Sequence, residues 1–323
     1  MKIERVNISL HTAFVITGYT FTELKAVWVT LSEGNYLGRG EGVGIYYLGD
    51  DQDSMIKSLE AIKPKVEQGA TRQEINELMP PGGARNALDC AFWDLECKQF
   101  EKSIWELVGI TPNPLFTVAT IGIGTLEQMA NRAIELAAFR NIKIKVSDQS
   151  PVEAVAAVRE VRPDAALVVD ANQGWSLSQL EEFAPKLDIL GVKMIEQPLA
   201  RGLDHQLANF RSPVPLGADE SVLDLAEYQV NSSNYQVVNI KLDKCGGLTE
   251  ALQIVAAAIK DGKTIMVGNM TGTSLSMAPA FVVGQECGFV DIDGPLLLGE
   301  DIKNGLEYLE GGKVMPPSSL LWG

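Results

Sequence analysis

The stretch Ala166-Leu167-Val168-Val169-Asp170 is a short apolar run that ends on a carboxylate, and the chain repeats this pattern on both sides of it. Four further apolar runs carry a polar residue at their carboxyl end, at nearly even intervals: residues 142–146 carry Lys145, 191–195 lead to Glu196, 214–218 lead to Asp219 and 237–240 lead to Lys241. Amphipathic stretches separate the runs, which is the pattern of buried parallel strands joined by helices. Polar residues at the carboxyl ends of such strands are typical of the active-site mouth of a (β/α)8 barrel.

Three more strands and their connecting helices complete the predicted barrel. The strands are expected at 117–122, 264–268 and 289–291. Amphipathic stretches long enough for right-handed crossovers predict helices at 126–139, 151–161 and 178–187.

The first third of the chain follows a different pattern. Two segments of alternating hydrophobicity, 2–10 and 24–32, predict antiparallel strands, and the glycine-rich segment 38–44 predicts a flexible loop. Helical patterns follow at 54–68, 72–79 and 84–99. Strands followed by helices predict an α+β domain in front of the barrel. The tail from residue 295 has Gly and Pro turns and no predicted helix.

Composition excludes several classes of protein. Of 323 residues, 46% are hydrophobic and 21% are charged, which predicts an ordered globular protein. The formal net charge of −15 argues against nucleic-acid binding, which needs a basic surface. No apolar run approaches the about 18 residues of a membrane helix, and residues 1–10 lack the apolar core of a secretory signal. The four cysteines form no CxxC pair, so a reducing cytoplasm is the expected compartment.

Asp170, Glu196 and Asp219 follow three successive predicted strands, so their carboxylates are expected to converge at the barrel mouth. Three carboxylates without histidine or cysteine favour a hard octahedral cation, Mg²⁺ before Mn²⁺. The ordinary alternative is that each acid caps the following helix or pairs with a lysine at the barrel rim. Glu220 competes with Asp219. Because strand alternation lets only one of them point inward, Asp219 is preferred and Glu220 is expected to support it from behind.

Lys143 and Lys145 are two positions apart on the second strand, so they are expected on one face of it. Neighbouring ammonium groups lower each other's pKa, and a lysine with a lowered pKa can act as a base near neutral pH. Lys241, on the sixth strand, would face them across the barrel mouth, whereas its rival Lys244 is expected in the loop that follows. The alternative for Lys143 and Lys145 is a pair of solvated surface lysines.

These motifs resemble the enolase superfamily, and within it the muconate-lactonizing branch. The resemblance covers nearly the whole chain and rests on Lys143-Ile144-Lys145, Val169-Asp170-Ala171-Asn172, Ile195-Glu196-Gln197-Pro198, Ala218-Asp219-Glu220-Ser221, the opposing Lys241 and Ala84-Arg85-Asn86-Ala87-Leu88-Asp89-Cys90-Ala91. It implies an α/β fold: a modified TIM (β/α)8 barrel of (β/α)7β type over residues 113–294, preceded by an N-terminal α+β capping domain with specificity loops over 1–112. A tail over 295–323 would return to the capping domain.

Within that branch the chain most resembles dipeptide epimerases of the L-Ala-D/L-Glu type, chiefly through Asp291-Ile292-Asp293-Gly294-Pro295. The resemblance implies one Mg²⁺ on the three carboxylates, and Lys145 and Lys241 as the two bases that exchange the α-proton of the C-terminal residue through an ene-diolate. Lys143 would neutralise the substrate carboxylate. The acids Asp291 and Asp293 would bind the substrate ammonium. The remaining positions where the family contacts the dipeptide are Thr120, Asn269 and Thr271.

One position departs from the pattern of that family. Enzymes that act on Ala-Glu carry a basic residue in a mobile N-terminal loop, whereas residues 17–22 contain none here and Phe21 takes its place. An aromatic side chain there favours a dipeptide with an apolar or small second residue, and Lys25 or Arg39 would have to swing in to bind an acidic one. The segments around 14–23 and 43–50 are expected to form a lid that excludes water.

The expected partner is a small-molecule dipeptide, and neither nucleic acid nor a membrane is expected to bind. The sequence leaves open whether the chain forms a homo-oligomer. Other reactions of the same branch are alternatives: those of a cycloisomerase, an o-succinylbenzoate synthase or an N-acylamino acid racemase. Their substrates have no free ammonium and would gain nothing from Asp291 and Asp293. Two alternatives come from other classes, namely a Schiff-base aldolase with a lone lysine on the sixth strand and a non-catalytic binding protein on the same fold.

Overall fold

The computed structural model describes residues 1–323. Its N-terminal part is a three-stranded antiparallel sheet covered by helices. The strands are β1 (Lys2–Ile16), β2 (Tyr19–Glu33) and β3 (Tyr36–Gly42), and the helices are α1 (Gln52–Glu67), α2 (Arg72–Leu78), α3 (Gly83–Gln99) and α4 (Ile104–Val108). Pairing of β1 with β2 continues to Ile16 opposite Tyr19. The predicted lid segment 14–23 is therefore the end of a long hairpin and not a loop.

The glycine-rich segment predicted to be a flexible loop is strand β3, so that prediction was wrong. A Cβ atom on Gly40 would lie 2.1 Å from the backbone oxygen of Ala87 in α3. Gly38 and Gly42 are restricted in the same way, at 2.2 and 2.1 Å from backbone oxygens of the same helix. These glycines therefore let a helix pack directly on a strand and do not provide flexibility.

Eight parallel strands form the second sheet. After the short strand β4 (Leu115–Phe116), they are β5 (Ala119–Ile121), β6 (Asn141–Lys145), β7 (Ala166–Asp170), β8 (Val192–Glu196), β9 (Leu216–Ala218), β10 (Val237–Ile240), β11 (Thr264–Val267) and β12 (Phe289–Val290). Each strand pairs with the next, and the backbone N–H of Val118 donates to the oxygen of Val290 at 2.9 Å, which joins the last strand to the first. The predicted barrel with a separate capping sheet is confirmed.

Helices cover the outside of this barrel. They are α5 (Leu126–Glu135), α6 (Pro151–Val161), α7 (Leu177–Ile189), α8 (Leu225–Asn231), α9 (Leu242–Cys245), α10 (Leu248–Lys260) and α11 (Ser274–Gly284). The connection between β8 and β9 has only a 3₁₀ turn, Asp204–Asn209. A core of 57 buried apolar residues holds strands and helices together. No helix combines the length and the apolar character that crossing a membrane requires.

The C-terminal residues return to the first domain. Strands β13 (Tyr308–Leu309) and β14 (Lys313–Val314) form a small sheet with β4. A 3₁₀ turn, Gly294–Leu297, lies in the tail where no helix was predicted. At the end of the chain the indole N–H of Trp322 donates to the Cys90 oxygen at 2.9 Å, and the backbone N–H of Gly323 donates to Asp94 Oδ1 at 2.8 Å. The last residues thus pack against α3.

Candidate active site

Three acids lie at the carboxyl ends of consecutive barrel strands. Asp170 and Glu196 are the last residues of β7 and β8 and are paired in register, and Asp219 directly follows β9. All three are fully buried. The ammonium of Lys143 lies 3.1 Å from Asp170 Oδ2 and 2.8 Å from Glu196 Oε2, so one cation is shared between the first two acids. We call these three acids the acid cluster.

The lysine pair of β6 faces the acid cluster. Lys145 Nζ donates to Asp170 Oδ2 at 2.6 Å and to Asn172 Oδ1 at 3.1 Å. Lys143 and Lys145 are both buried, which excludes a pair of solvated surface lysines. The expected lowering of the pKa is wrong for Lys143. Burial does lower it, but the surrounding carboxylates, Glu196 first among them, hold the pKa of this ammonium well above its usual value.

Two further lysines reach Asp219 from the other side of the barrel. Lys241 Nζ lies 2.6 Å from Asp219 Oδ2, and Lys244 Nζ lies 2.7 Å from Asp219 Oδ1. The expectation that Lys244 lies in a loop is wrong, because it is buried in the helical turn α9 and also donates to the Asn239 backbone oxygen at 2.9 Å. Burial raises the pKa of Asp219, but the two ammonium groups outweigh burial and hold it below its usual range. Burial lowers the pKa of Lys241, and pairing with Asp219 more than offsets this.

Glu220 is buried beside Asp219, and its role behind Asp219 stays a prediction. Strand β9 ends at Ala218, and strand alternation therefore does not govern the next two residues. Glu220 Oε1 accepts a hydrogen bond from Asn172 Nδ2 at 3.3 Å, whereas its Oε2 has no partner. Burial, followed by the negative charges of Asp219 and Asp170, raises the pKa of Glu220 to about 8.

The acids do not converge on one point that would hold a metal ion in this arrangement. Each carboxylate of the acid cluster instead contacts a lysine ammonium. The donor set nevertheless fits a hard cation, because three buried carboxylates concentrate negative charge and Glu196 Oε2, although close to Lys143, receives no directed hydrogen bond. Burial and then Asp170 raise the pKa of Glu196 to about 7.

A second pair of acids follows β12. Asp291 Oδ2 accepts from Lys143 Nζ at 3.0 Å, and Asp293 Oδ2 accepts the backbone N–H of Thr120 at 2.7 Å. Asn269 Nδ2 donates to Asp291 Oδ1 at 2.9 Å and lies 3.5 Å from Asp293 Oδ1. Burial and then Asp291 raise the pKa of Asp293 to about 7. One network thus joins six of the residues predicted to contact substrate: Thr120, Lys143, Asn269, Thr271, Asp291 and Asp293.

Aromatic side chains of the capping domain form a layer over this end of the barrel. The Phe21 ring centroid lies 5.1 Å from that of Tyr46 and 6.2 Å from that of Tyr19. Tyr46 and Tyr47 belong to a 3₁₀ turn, and their centroids are 5.2 Å apart. The Tyr47 hydroxyl is buried without a hydrogen-bond partner, and burial, followed by the charge of Asp219, raises its pKa above the ordinary value.

A cavity of about 410 Å³ lies next to this aromatic layer, and Phe21, Tyr46 and Thr271 are among the residues that line it. Lys25 also lines it, but its ammonium lies 3.2 Å from Glu23. The guanidinium of Arg39, the other cation considered for an acidic substrate, donates to backbone oxygens of the C-terminal tail. Phe21 therefore lies beside a cavity that has one partly neutralised cation in its wall.

The turn of the β1–β2 hairpin touches the ends of two barrel strands. Thr17 Oγ1 lies 3.2 Å from the Val146 oxygen and 3.3 Å from the Ala171 oxygen. These two residues immediately follow Lys145 and Asp170. Since a threonine hydroxyl has one proton, the two carbonyls share a single donor.

Sequence reasoning assigned no role at this site to five of its residues: Asn172, Asn239, Lys244, Tyr46 and Tyr47. Asn239 carried a signal, because it lies two positions before Lys241 and donates to Glu196 Oε1 at 2.7 Å. The sequence also contained a signal for Lys244, since it lies three positions after Lys241 and three positions make about one helical turn. No pattern in a single sequence marks the two tyrosines.

Two family models match the chain. Residues 2–109 match the mandelate racemase / muconate lactonizing enzyme N-terminal domain, and residues 125–318 match the enolase C-terminal domain-like model. The L-Ala-D/L-Glu epimerase of Escherichia coli (strain K12) is 39% identical over 305 residues, which cover 94% of this chain and 95% of the relative. The N-acetyl-D-glutamate racemase of Pseudoalteromonas sp is 38% identical over 91% of this chain and 94% of that protein.

Among solved structures, an enolase family member from Agrobacterium tumefaciens with homology to dipeptide epimerases superposes with a TM-score of 0.97 at 40% sequence identity. The superposition covers 100% of this chain and 99% of the other. That structure contains bound sodium and L-Ala-L-Glu.

Proposed function

The chain belongs to the mandelate racemase / muconate lactonizing enzyme family of the enolase superfamily and is a racemase or epimerase of amino-acid derivatives, and on this basis we propose that it is a Mg²⁺-dependent dipeptide epimerase. One observation carries most of the proposal. Lys145 on β6 and Lys241 after β10 contact different members of the same acid cluster, at 2.6 Å each, from the second and sixth of eight strands. A substrate carbon held at this cluster would have a lysine on either side.

Asp170, Glu196 and Asp219 would hold the metal, and three carboxylates suit a hard cation, for which we propose Mg²⁺ before Mn²⁺. A divalent ion there would neutralise the negative charge that the substrate carboxylate gains when the α-proton is removed. Its charge would also weaken the attraction that now holds the pKa of Lys241 above its usual value. A lysine with a lower pKa is a better base near neutral pH.

The two lysines would divide the proton transfer between them. One lysine, as the neutral amine, removes the α-proton of the C-terminal residue. The other lysine, as the protonated ammonium, returns a proton to the opposite face of the α-carbon. Inversion of the α-carbon follows from this geometry, and each lysine acts as the base for one epimer. Lys143, which already lies between Glu196 and Asp291, would neutralise the substrate carboxylate.

Asp291 and Asp293 would bind the free ammonium of the dipeptide. Asp293 is buried, and its raised pKa of about 7 reflects burial and the charge of Asp291. An ammonium placed between the two acids would relieve that repulsion and form charge-assisted hydrogen bonds. N-acylated amino acids lack this ammonium, so the pair favours a dipeptide over an N-acyl substrate.

The second residue of the dipeptide is proposed to be apolar or small rather than Glu. The hairpin turn 17–22 has no basic residue, Phe21 lies against Tyr46, and Arg39 is held by the C-terminal tail. Lys25 is the remaining cation, and it is paired with Glu23. A glutamate side chain would have to lose water beside aromatic rings without a free cation to compensate, which is unfavourable.

A dipeptide library in D₂O with Mg²⁺ tests the proposal. The expected result is a gain of one deuteron at the α-carbon of the C-terminal residue, read by mass spectrometry, with L-Ala-L-Leu and L-Ala-L-Val exchanging faster than L-Ala-L-Glu. Exchange of N-acetylglutamate without exchange of any dipeptide would identify the racemase alternative that the Pseudoalteromonas relative suggests. If no compound exchanges, the proposal is wrong.

Variants of the two lysines test the roles assigned to them. We expect Lys145→Ala and Lys241→Ala each to abolish epimerisation, while one of them still exchanges the α-proton of a single epimer. Lys193→Ala, a lysine at the other end of the barrel, serves as the matched control and should keep full activity. Full activity in both of the first two variants would contradict the two-base scheme.

A further inference from the structure

The barrel has a second cavity at the end opposite to the acid cluster. It encloses about 420 Å³ near the amino-terminal ends of β6, β7 and β12, next to β4. The wall is mainly apolar, since 8 of its 13 residues are hydrophobic. Small-molecule sites in proteins commonly have volumes of about 300 to 1,000 Å³, so the cavity is large enough for a ligand.

Two cations and no carboxylate line this cavity. The cations are Arg140, directly before β6, and Lys193 of β8, and neither side chain forms an ion pair or a hydrogen bond within the protein. The chain as a whole has 42 acidic and 27 basic residues. Two unpaired cations beside one apolar cavity therefore give a local charge opposite to that of the whole protein, which favours an anion.

A β-bulge sets the position of Lys193. Leu167 pairs with Val192, but the next residue, Val168, pairs with Met194, so Lys193 is an extra residue in β8. Val192 and Met194 are buried on either side of it, whereas Lys193 is exposed. A bulge commonly redirects a side chain, and here it leaves the ammonium at the opening of the cavity instead of under the outer helices.

Stacking on an aromatic ring orients Arg140. The central carbon of its guanidinium lies 3.1 Å from the centroid of the Phe116 ring. A guanidinium stacked by its face keeps the N–H groups at its edge free for an anion. Val168 and Phe289 line the same cavity and would contact the hydrocarbon part of a ligand.

We propose that this cavity binds a small organic carboxylate with an apolar body, of the size of a medium-chain fatty acid. The carboxylate would lie between the Arg140 guanidinium and the Lys193 ammonium, which are donors suited to it. The hydrocarbon would cover the apolar wall and leave water. This inference concerns the opposite end of the barrel from the acid cluster and does not depend on the proposed epimerase activity.

Calorimetric titration of the full chain, loaded with Mg²⁺, tests this site with octanoate as the probe and with octanol and octylamine as controls. We expect saturable binding of octanoate, and affinity that falls about tenfold in Arg140→Gln and in Lys193→Gln, since each removes one charge-assisted contact. Both side chains are at the surface, so the variants should fold as the parent does, which thermal unfolding would verify. A Lys241→Ala variant should bind octanoate as the parent does.

Four results would overturn the proposal. The first is the absence of saturable octanoate binding. The second is unchanged affinity in a variant that carries both Arg140→Gln and Lys193→Gln. The third is loss of binding in Lys241→Ala, which would place the octanoate at the acid cluster instead. Equal affinity for octanol would likewise show that the two cations do not contribute.

Discussion

Replacement of Thr17 by valine tests whether the hairpin turn must close on the barrel for catalysis. Thr17 Oγ1 lies 3.2 and 3.3 Å from the oxygens of Val146 and Ala171, which follow Lys145 and Asp170. Valine keeps nearly the same shape but has no hydroxyl. The variant therefore removes the one proton that the two carbonyls share and leaves the rest of the hairpin unchanged.

The expected cost is that of one hydrogen bond. A net contribution of about 1 kcal/mol corresponds to about fivefold in the equilibrium between the closed and the open hairpin. If the hairpin is mostly open in the free enzyme and closes for proton transfer, the whole cost appears in kcat/KM. We expect kcat/KM to fall about fivefold in Thr17→Val.

Steady-state epimerisation followed by polarimetry would measure this change, with Thr17→Ser as the matched control. Serine retains the hydroxyl, so its kcat/KM should stay within about twofold of the parent. The reasoning fails if Thr17→Val is as active as the parent. It also fails if Thr17→Ser loses as much activity as Thr17→Val, because the effect would then come from the lost methyl group.

Three other outcomes are expected. Gly40→Ala should lower the free energy of unfolding by about 1–3 kcal/mol in urea denaturation, because its Cβ would lie 2.1 Å from the backbone oxygen of Ala87. The matched control Gly124→Ala should change it little, because the nearest atoms to its Cβ are side-chain atoms, the first of them Gln128 Oε1 at 3.1 Å. Burial raises the pKa of Glu41 from 4.5 to about 7, so the stabilising contribution of the protonated carboxyl group is fully present below pH 4.5 and is lost as the pH rises through 7. The free energy of unfolding of Glu41→Gln should therefore depend less on pH in that interval than that of the parent. An unchanged slope would contradict this. Removal of divalent metal with EDTA should abolish turnover, and Mg²⁺ should restore it; activity that survives EDTA would contradict a metal on Asp170, Glu196 and Asp219.

The barrel was predictable from the sequence because each of its strands is buried on both faces. A strand of this kind needs a continuous apolar run, and a run such as 166–169 followed by Asp170 marks both the strand and its carboxyl end. The even spacing of these runs then determines the order of the strands. The helices α8, α10 and α11 were not predicted, and α11 is buried along its whole length, so it has no polar face to mark it.

The errors come from contacts between segments that are distant in sequence. Gly38 to Gly42 has the composition of a flexible loop, and only the approach of α3 explains why glycine is required there. Lys244 follows a strand, but the helical turn that directs it to Asp219 is not visible in the pattern. The pKa of Lys143 was expected to be low because Lys145 is near it, whereas the carboxylates of three other strands raise it.

The contact of Trp322 with Cys90 has a consequence for how the chain matures. The indole of Trp322 is fully buried against α3, and Gly323 reaches Asp94 in the same helix. Residues 320–323 are synthesised only after the entire barrel, so α3 cannot make its full set of contacts before the barrel has been synthesised. The capping domain therefore cannot finish folding before the barrel that follows it has been made, and a nascent chain stopped short of these residues should be a better target for proteases and chaperones.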